Sequence, residues 1–205
     1  MDNDRVSLNR ERVVHGALRF IDDKGVDALS MRKLGKVLGV EAMSLYNYVA
    51  SKDELLDAVA SLLLELVDLK GPEEPAWQGR ARRISERVRE VALAHPRAFV
   101  LLTTRSLSSF DSWSPLLEAF HVAQEAGYPP ADAGYVVGAM SGYIVGALLL
   151  EIAQIQGGRR LQVLEVPPER AELRAYLAAR GEVDSAEEFR RGFDLLLAGM
   201  EHQLR

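Results

Sequence analysis

Cysteine is absent from this 205-residue chain, which excludes disulfides, thiolate nucleophiles and zinc ribbons and makes an intracellular compartment the natural expectation. Positive charge is not in excess either: 25 Lys and Arg stand against 30 Asp and Glu, net −5, which argues against a strongly basic nucleic-acid binder. The start, Met1-Asp2-Asn3-Asp4, lacks the basic opening and apolar core of a secretion signal, so a cytoplasmic location is expected. Strict apolar–polar alternation is missing, and with it the mark of half-buried strands. Catalytic patterns are scarce as well. His15, His95, His121 and His202 are scattered, and there is no His-Glu-x-x-His, no glycine-rich phosphate loop and no nucleophile elbow. The paired acids Glu73-Glu74 and Glu187-Glu188 suit loops or solvated faces. No enzyme activity, cofactor or protein-bound metal is expected.

What the chain does have is a helical hairpin over residues 28–48. Leu34 and Leu38 lie one turn apart on a first short helix, Leu45 and Val49 one turn apart on a second, so both bury a face in a common core. Gly35 is small enough for the helices to approach closely, and Gly39 falls where a tight turn needs a left-handed backbone. Glu41, Ala42, Met43, Ser44, Tyr46, Asn47 and Tyr48 remain outward. That surface is polar, small and aromatic, as expected of a helix laid in the DNA major groove. Upstream, Val13, Val14, Ala17, Leu18 and Ile21 repeat at helical spacing up to Lys24-Gly25; downstream, Ser51-Lys52-Asp53-Glu54 forms a capping box. Three helices and the start of a fourth are thus set out in the first 55 residues. A hairpin of this kind also occurs without DNA, so a helical adaptor is the competing reading.

Each exposed residue of this head has a role its chemistry suits. Arg32 can fork onto a guanine edge or a phosphate, and Ser30 can cap the helix that Met31 and Arg32 begin while its backbone N–H groups face phosphate. Ala42 and Met43 suit thymine methyls, and Ser44 and Asn47 suit base edges. Tyr46, Tyr48 and Lys52 suit phosphate oxygens, which fix register. Internal packing of Met43 or of a tyrosine is the plainer alternative, with Tyr46 expected to be the more buried of the pair. Residues 1–55 carry nine basic and nine acidic side chains, and Arg32, Lys33, Lys36 and Lys52 gather around the hairpin. The expected result is modest nonspecific affinity with a shallow salt dependence.

The run Leu29-Ser30-Met31-Arg32-Lys33-Leu34-Gly35, then Leu38-Gly39-Val40-Glu41, then Ser44-Leu45-Tyr46-Asn47-Tyr48-Val49, then Lys52-Asp53-Glu54-Leu55-Leu56-Asp57 resembles the DNA-binding head of the tetracycline-repressor (TetR) family of transcriptional regulators. The resemblance covers residues 8–64 without a gap and returns at residues 189–204, which are similar to the family's last helix. It implies DNA contacts for Arg32, Tyr46 and Lys52. Where the family's namesake carries Gln-Pro-Thr ahead of Leu-Tyr-Trp-His, this chain has Ala42-Met43-Ser44 ahead of Leu45-Tyr46-Asn47-Tyr48, so a different operator is implied.

Beyond residue 50 the pattern is helical nearly throughout. Helices are expected over 51–69, 76–94, 96–104, 113–125, 131–156, 169–179 and 185–204, with breaks at His95-Pro96, Gly127-Tyr128-Pro129-Pro130, Gly157-Gly158 and Pro167-Pro168 and a mobile loop over 157–168. The fold class is all-α: a three-helix helix-turn-helix head, residues 1–50, on a larger ligand-binding and dimerisation body, residues 51–205. Residues 133–150 carry no charge and reach the lower limit for a membrane span, with Gly134, Gly138, Gly142 and Gly146 every fourth residue. Flanking Asp132 and Glu151 oppose that reading, and a buried helix whose glycine ridge admits another helix accounts better for the pattern.

A second copy of the chain is the expected partner. Phe189, Phe193, Leu196, Met200 and Leu204 form an apolar stripe over five turns, which a core helix would also show. The resemblance implies an intersubunit four-helix bundle built from this stripe and the helix of Gly138 and Gly142. It also places an effector among Phe99, Leu102, Arg105, Trp113, Leu116, Phe120, Met140, Tyr143 and Ile144, residues that would otherwise be ordinary core. The namesake's histidine that binds drug-chelated magnesium lies shortly before Thr-Arg; the matching run here is Val100-Leu101-Leu102-Thr103-Thr104-Arg105. Leucine cannot ligate a metal, so a largely apolar effector is expected, with Arg105, Tyr143 and Glu151 as polar contributors.

Overall fold

Polar caps start three of the first four helices. In the computed structural model, which describes residues 8–71, 74–156, 167, 169–180 and 184–204, Asn9 accepts from the Arg12 N–H at the start of α1 (Arg10–Lys24), Ser30 from the Lys33 N–H at the start of α2 (Met31–Leu38), and Ser51 from the Glu54 N–H at the start of α4 (Lys52–Glu65). Between α2 and α4 lies α3 (Ala42–Leu45), a single turn. The remaining helices are α5 (Trp77–Ala94), α6 (Leu101–Thr104), α7 (Ser114–Glu125), α8 (Pro130–Ile155), α9 (Ala171–Arg180) and α10 (Ser185–Gln203), with a 3₁₀ turn at Asp111–Trp113. Among the described residues there is no strand.

Three helices are shorter than their periodicity predicts. The helix expected over 51–69 ends at Glu65, because Val67 N–H turns back to the Leu64 carbonyl (3.1 Å) and the Asp68 carboxylate takes the Lys70 N–H (3.0 Å), a local bond that competes with helix. Of the segment expected as helix over 96–104 only Leu101–Thr104 is helical; residues 96–100 form turns, in which the Ala98 and Phe99 N–H groups both reach the His95 carbonyl. The second hairpin helix contracts to α3 and continues as turns, in which Tyr48 and Val49 N–H both reach the Leu45 carbonyl. The loop expected over 157–168 falls, apart from Pro167, outside the described residues.

The chain forms two compact units, and α5 and α7 each run from one into the other. The first unit takes the residues before 74 together with Glu86–Ala119. Its core is built by Val13, Ala17 and Ile21 of α1, Leu34 of α2, Leu45 and Val49 beside α3, and Leu55, Val59 and Leu63 of α4, with Ala98 and Leu101 joining them. α4 packs on α1 and shares this core with it. At the far end of α1, Arg97 donates to the carbonyls of Asp22 and Asp23, which the helix itself leaves unsatisfied, while His95 Nδ1 lies 2.8 Å from an Asp22 carboxylate oxygen. Arg105 pairs with Asp53 in the first turn of α4 at 2.7 Å, and the Ser108 N–H donates to the buried Ser61 hydroxyl of α4 at 2.7 Å.

The second unit takes Glu74–Ser85 and the residues from 120 onward. Here α8 buries Ala133, Val136, Met140, Ile144, Leu148 and Ile152, and α10 packs along it with Phe189, Phe193, Leu197 and Met200. Tyr143 sits between Phe189 and Phe193, ring centroids 6.0 and 5.9 Å away, and donates its hydroxyl to the Phe189 carbonyl at 2.8 Å. Burial pushes its phenol above the ordinary value. Tyr128 likewise donates to the Met200 carbonyl at 2.8 Å. By length and composition α8 would span a bilayer, yet one of its faces is taken by α10.

Candidate nucleic-acid interface

The geometry of the hairpin follows from its two glycines. Gly39 ends α2 with φ 70° and ψ 31°, the left-handed conformation that a side chain resists, and its N–H returns to the Gly35 carbonyl. A Cβ on Gly35 would stand 2.8 Å from the Val40 carbonyl oxygen and 3.2 Å from the Ala42 nitrogen. Both neighbours are backbone and cannot swing aside, so only glycine lets α3 cross α2 at this separation. Leu45 and Val49 then anchor the second half of the hairpin in the core.

This leaves an outward face with mixed chemistry. Met43 is 74 % exposed and Tyr46 44 %, while Arg32, Asn47 and Glu41 are exposed and Ala42, Ser44 and Lys52 partly so. An exposed methionine on a one-turn helix, flanked by a hydroxyl, an amide and a phenol, is a surface suited to base edges and thymine methyls. Two expectations need correction. Met31, at 7 % exposure, packs its side chain in the core and does not present it on the outward face. Of the two tyrosines it is Tyr48, not Tyr46, that packs against the core; residue 48 falls three residues after buried Leu45 and next to buried Val49, on the flank of the same inward side, while Tyr46 points away. Ser30 is committed to its capping bond, as its position before α2 suggests.

The capping box at the start of α4 is a variant of the expected one. The Ser51 hydroxyl accepts from the Glu54 N–H at 3.0 Å, but the Glu54 carboxylate reaches the Ala50 N–H, at 2.5 Å, and not that of Ser51. That bond, and then the hydrogen bond from Arg10, hold the Glu54 carboxyl below its ordinary value. Arg10 was not singled out from the sequence; its contacts are 38 and 44 residues away and leave no local signal.

The effector candidates fall in both units. Phe99, Leu102, Arg105, Trp113 and Leu116 belong to the first; Phe120, Met140, Tyr143 and Ile144 belong to the second. Phe99, Met140 and Ile144 are buried, Leu102, Leu116 and Phe120 half-buried, and Trp113 is 52 % exposed. The polar candidates have partners: Arg105 pairs with Asp53, Tyr143 donates to Phe189, and the buried Glu151 accepts from the Ser185 hydroxyl at 2.9 Å. Among the described residues no cluster of three or more His, Asp or Glu could hold a metal ion.

The dimerisation candidates divide in an informative way. Phe189, Phe193 and Met200 are buried against α8 of the same chain, so this part of the stripe is the core of the second unit and is not free for a partner; Leu196 is half-buried. The glycine ridge, by contrast, is open. Gly134, Gly138, Gly142 and Gly146 have nothing within 4 Å of a Cβ position, and Tyr135 and Leu150 on the same helix are exposed. On α10 the exposed apolar residue is Leu195, at 75 %, and Gly199 is equally open.

Comparison with known proteins matches residues 13–59 to the family described as bacterial regulatory proteins, tetR family, and residues 71–204 to the tetracyclin repressor-like C-terminal domain. An HTH-type transcriptional regulator of Saccharopolyspora erythraea is 30 % identical over 199 residues, 94 % of this chain and 84 % of that protein. The class D tetracycline repressor of Escherichia coli is 31 % identical over 204 residues, 96 % of this chain and 91 % of its own. Among solved structures, the Streptomyces coelicolor TetR family protein ActR in complex with (S)-DNPA superposes with a TM-score of 0.80 at 25 % identity, covering 97 % of this chain and 99 % of that one.

Proposed function

The chain belongs to the TetR family of bacterial transcriptional regulators, and from that premise we propose that it is a repressor which binds a palindromic operator as a homodimer and is released by a small, largely apolar effector. The observation that carries this reading is the outward face of α3, set on a glycine hinge that admits no side chain. In this reading the head, residues 1–50, reads DNA and residues 51–205 hold the effector and the dimer contact. Arg32, Ala42, Met43, Ser44 and Asn47 meet base edges, and Tyr46, Tyr48 and Lys52 fix the register on phosphates.

One exposed turn reads few base pairs; two copies related by a twofold axis read half-sites about 34 Å apart. The uncovered glycine ridge of α8, with Gly138 and Gly142 at its centre, and the exposed Leu195 and Gly199 of α10 support that pairing, since helices can approach closely at uncovered glycines. The small molecule held by ActR, the class D repressor's likeness over the whole chain and the apolar residues of α7 and α8 support an effector in the body. The leucines ahead of Thr103-Thr104-Arg105 support one that brings no metal.

Release then follows from linkage: an effector that favours one spacing of the two heads draws the population toward it. To carry operator occupancy from nearly full to nearly empty it must prefer that state by roughly 10⁴-fold, or about 5.5 kcal/mol. The test is a gel-shift with the DNA upstream of the chain's own gene. Retardation that is lost in Arg32→Ala/Tyr46→Ala supports the site, and retardation that survives the double change sinks it. A compound that binds the body and leaves operator affinity unaltered in every case tried would sink the effector reading.

A further inference from the structure

A helix of four residues cannot hold its own orientation: isolated helices in water need about 12–15 residues before they persist at all. The placement of α3 is therefore set from outside. Its entry is fixed by Gly35 and Gly39, its last residue is the buried Leu45, and Val49 is buried in the turn that follows. At its exit, beyond the packing of Tyr48 and Val49, the Tyr48 carbonyl has no following helical turn to bond and is taken by one side chain. Arg10 Nη1 donates to the Tyr48 carbonyl at 2.8 Å and to Glu54 Oε1 at 2.8 Å. The second Glu54 oxygen takes the Ala50 N–H at 2.5 Å, and the Glu54 N–H closes on the Ser51 hydroxyl at 3.0 Å. One guanidinium thus ties the first residue of α1 to the turn that leaves α3 and to the first turn of α4.

We propose that Arg10 is a positioning residue for operator recognition, clamping the exit of α3 through the Tyr48 carbonyl and the Glu54 carboxylate. The inference rests on the regulator reading and adds to it a residue outside the outward face. As an exposed ion pair alone, Arg10–Glu54 would contribute little to stability. Its importance lies in the direction it gives to Met43, Ser44 and Asn47, since base-edge contacts depend on that direction. The rival role for an exposed arginine at the edge of a DNA-binding head is a phosphate contact, and salt separates the two. A lost phosphate contact flattens the dependence of log affinity on log salt by about 0.9 per arginine removed, whereas a mispositioned base contact lowers affinity at every salt concentration and leaves the slope as it was.

The experiment uses the full-length protein, Arg10→Gln and Arg10→Lys, with a duplex selected by the unmodified protein from a random-sequence pool. Fluorescence anisotropy is read at several KCl concentrations, and amide hydrogen exchange at Tyr48, Val49 and Ala50 is read without DNA. The expected result is a loss of at least about tenfold in affinity for Arg10→Gln at unchanged slope, faster exchange at Ala50 and its two neighbours, and intermediate behaviour of Arg10→Lys, which keeps the charge but loses the fork. Unchanged exchange in Arg10→Gln, or a slope flattened by about 0.9 per chain, overturns the clamp. Should the unmodified protein select no duplex, the regulator reading fails, and the exchange measurement still decides whether Arg10 holds the turn.

Discussion

Replacing Gly35 by alanine tests whether the hairpin is held by close backbone approach or merely by sequence habit. In an unencumbered helix interior the change stabilises by about 1 kcal/mol, because alanine has less conformational freedom to lose on folding. Here the added methyl would lie 2.8 Å from the Val40 oxygen and 3.2 Å from the Ala42 nitrogen, so α3 must move away from α2 by several tenths of an ångström. Overpacking of this kind costs about 1–3 kcal/mol, and with the helix gain set against it the net loss is about 0–2 kcal/mol. For a chain of this size that lowers the melting temperature by up to about 8 °C. The larger effect is on recognition, because the displaced segment carries Ala42, Met43 and Ser44. Thermal melting followed by circular dichroism gives the first quantity and anisotropy on a selected duplex the second. A Gly35→Ala protein that melts at or above the parent and binds the same duplex equally well would refute the reasoning. Gly39→Ala is the companion change: nothing lies within 4 Å of its Cβ position, so its cost, about 1 kcal/mol, comes from the left-handed backbone alone, and Gly39→Asn recovers part of it.

Leu45→Ala removes a fully buried side chain from the core beneath α3 and is expected to lower stability by about 2–5 kcal/mol in denaturant melts, whereas Met43→Ala, on the exposed side of the same turn, leaves the melt unchanged and alters which sequences are selected from random DNA. Glu54 has its folded-state carboxyl pKa held below the ordinary value, so its contribution is fully present above the ordinary carboxylate range, near ~4.3, and fades as pH falls through the lowered value; the stability gap between the parent and Glu54→Gln, measured in acid titrations, therefore narrows as the pH drops below that range. Gly142→Leu places bulk on the open ridge of α8 where nothing of the same chain is met; sedimentation is expected to show weakened self-association while the helical content stays that of the parent.

The head was largely legible because its signals are local. A serine before a helical repeat, a glycine forced to positive φ and a capping-box spacing each act within a few residues, and Ser30, Gly39 and Ser51 behave as those signals require. The length of α3 was not legible, since turns that bond Tyr48 and Val49 back to Leu45 keep buried side chains at the same spacing as a continuing helix. Periodicity also says that a face is covered without saying by what. Phe189, Phe193 and Met200 form the stripe a dimer helix would show and are covered by α8 of their own chain, while the glycine ridge expected to admit a neighbour is left bare. Met31 and Tyr48 owe their burial, and Arg10 its role, to contacts that only the assembled unit creates.

The central claim is that the outward face of α2 and α3 reads DNA, and selection from a random-sequence pool followed by binding of the winning duplex to the parent and to Arg32→Ala/Tyr46→Ala tests it most directly. The account predicts a two-fold symmetric sequence whose half-sites lie about one helical turn apart, bound tightly by the parent and with affinity lost in the double variant. A pool that yields no preferred sequence, or a selected duplex that the double variant binds as well as the parent, would contradict it.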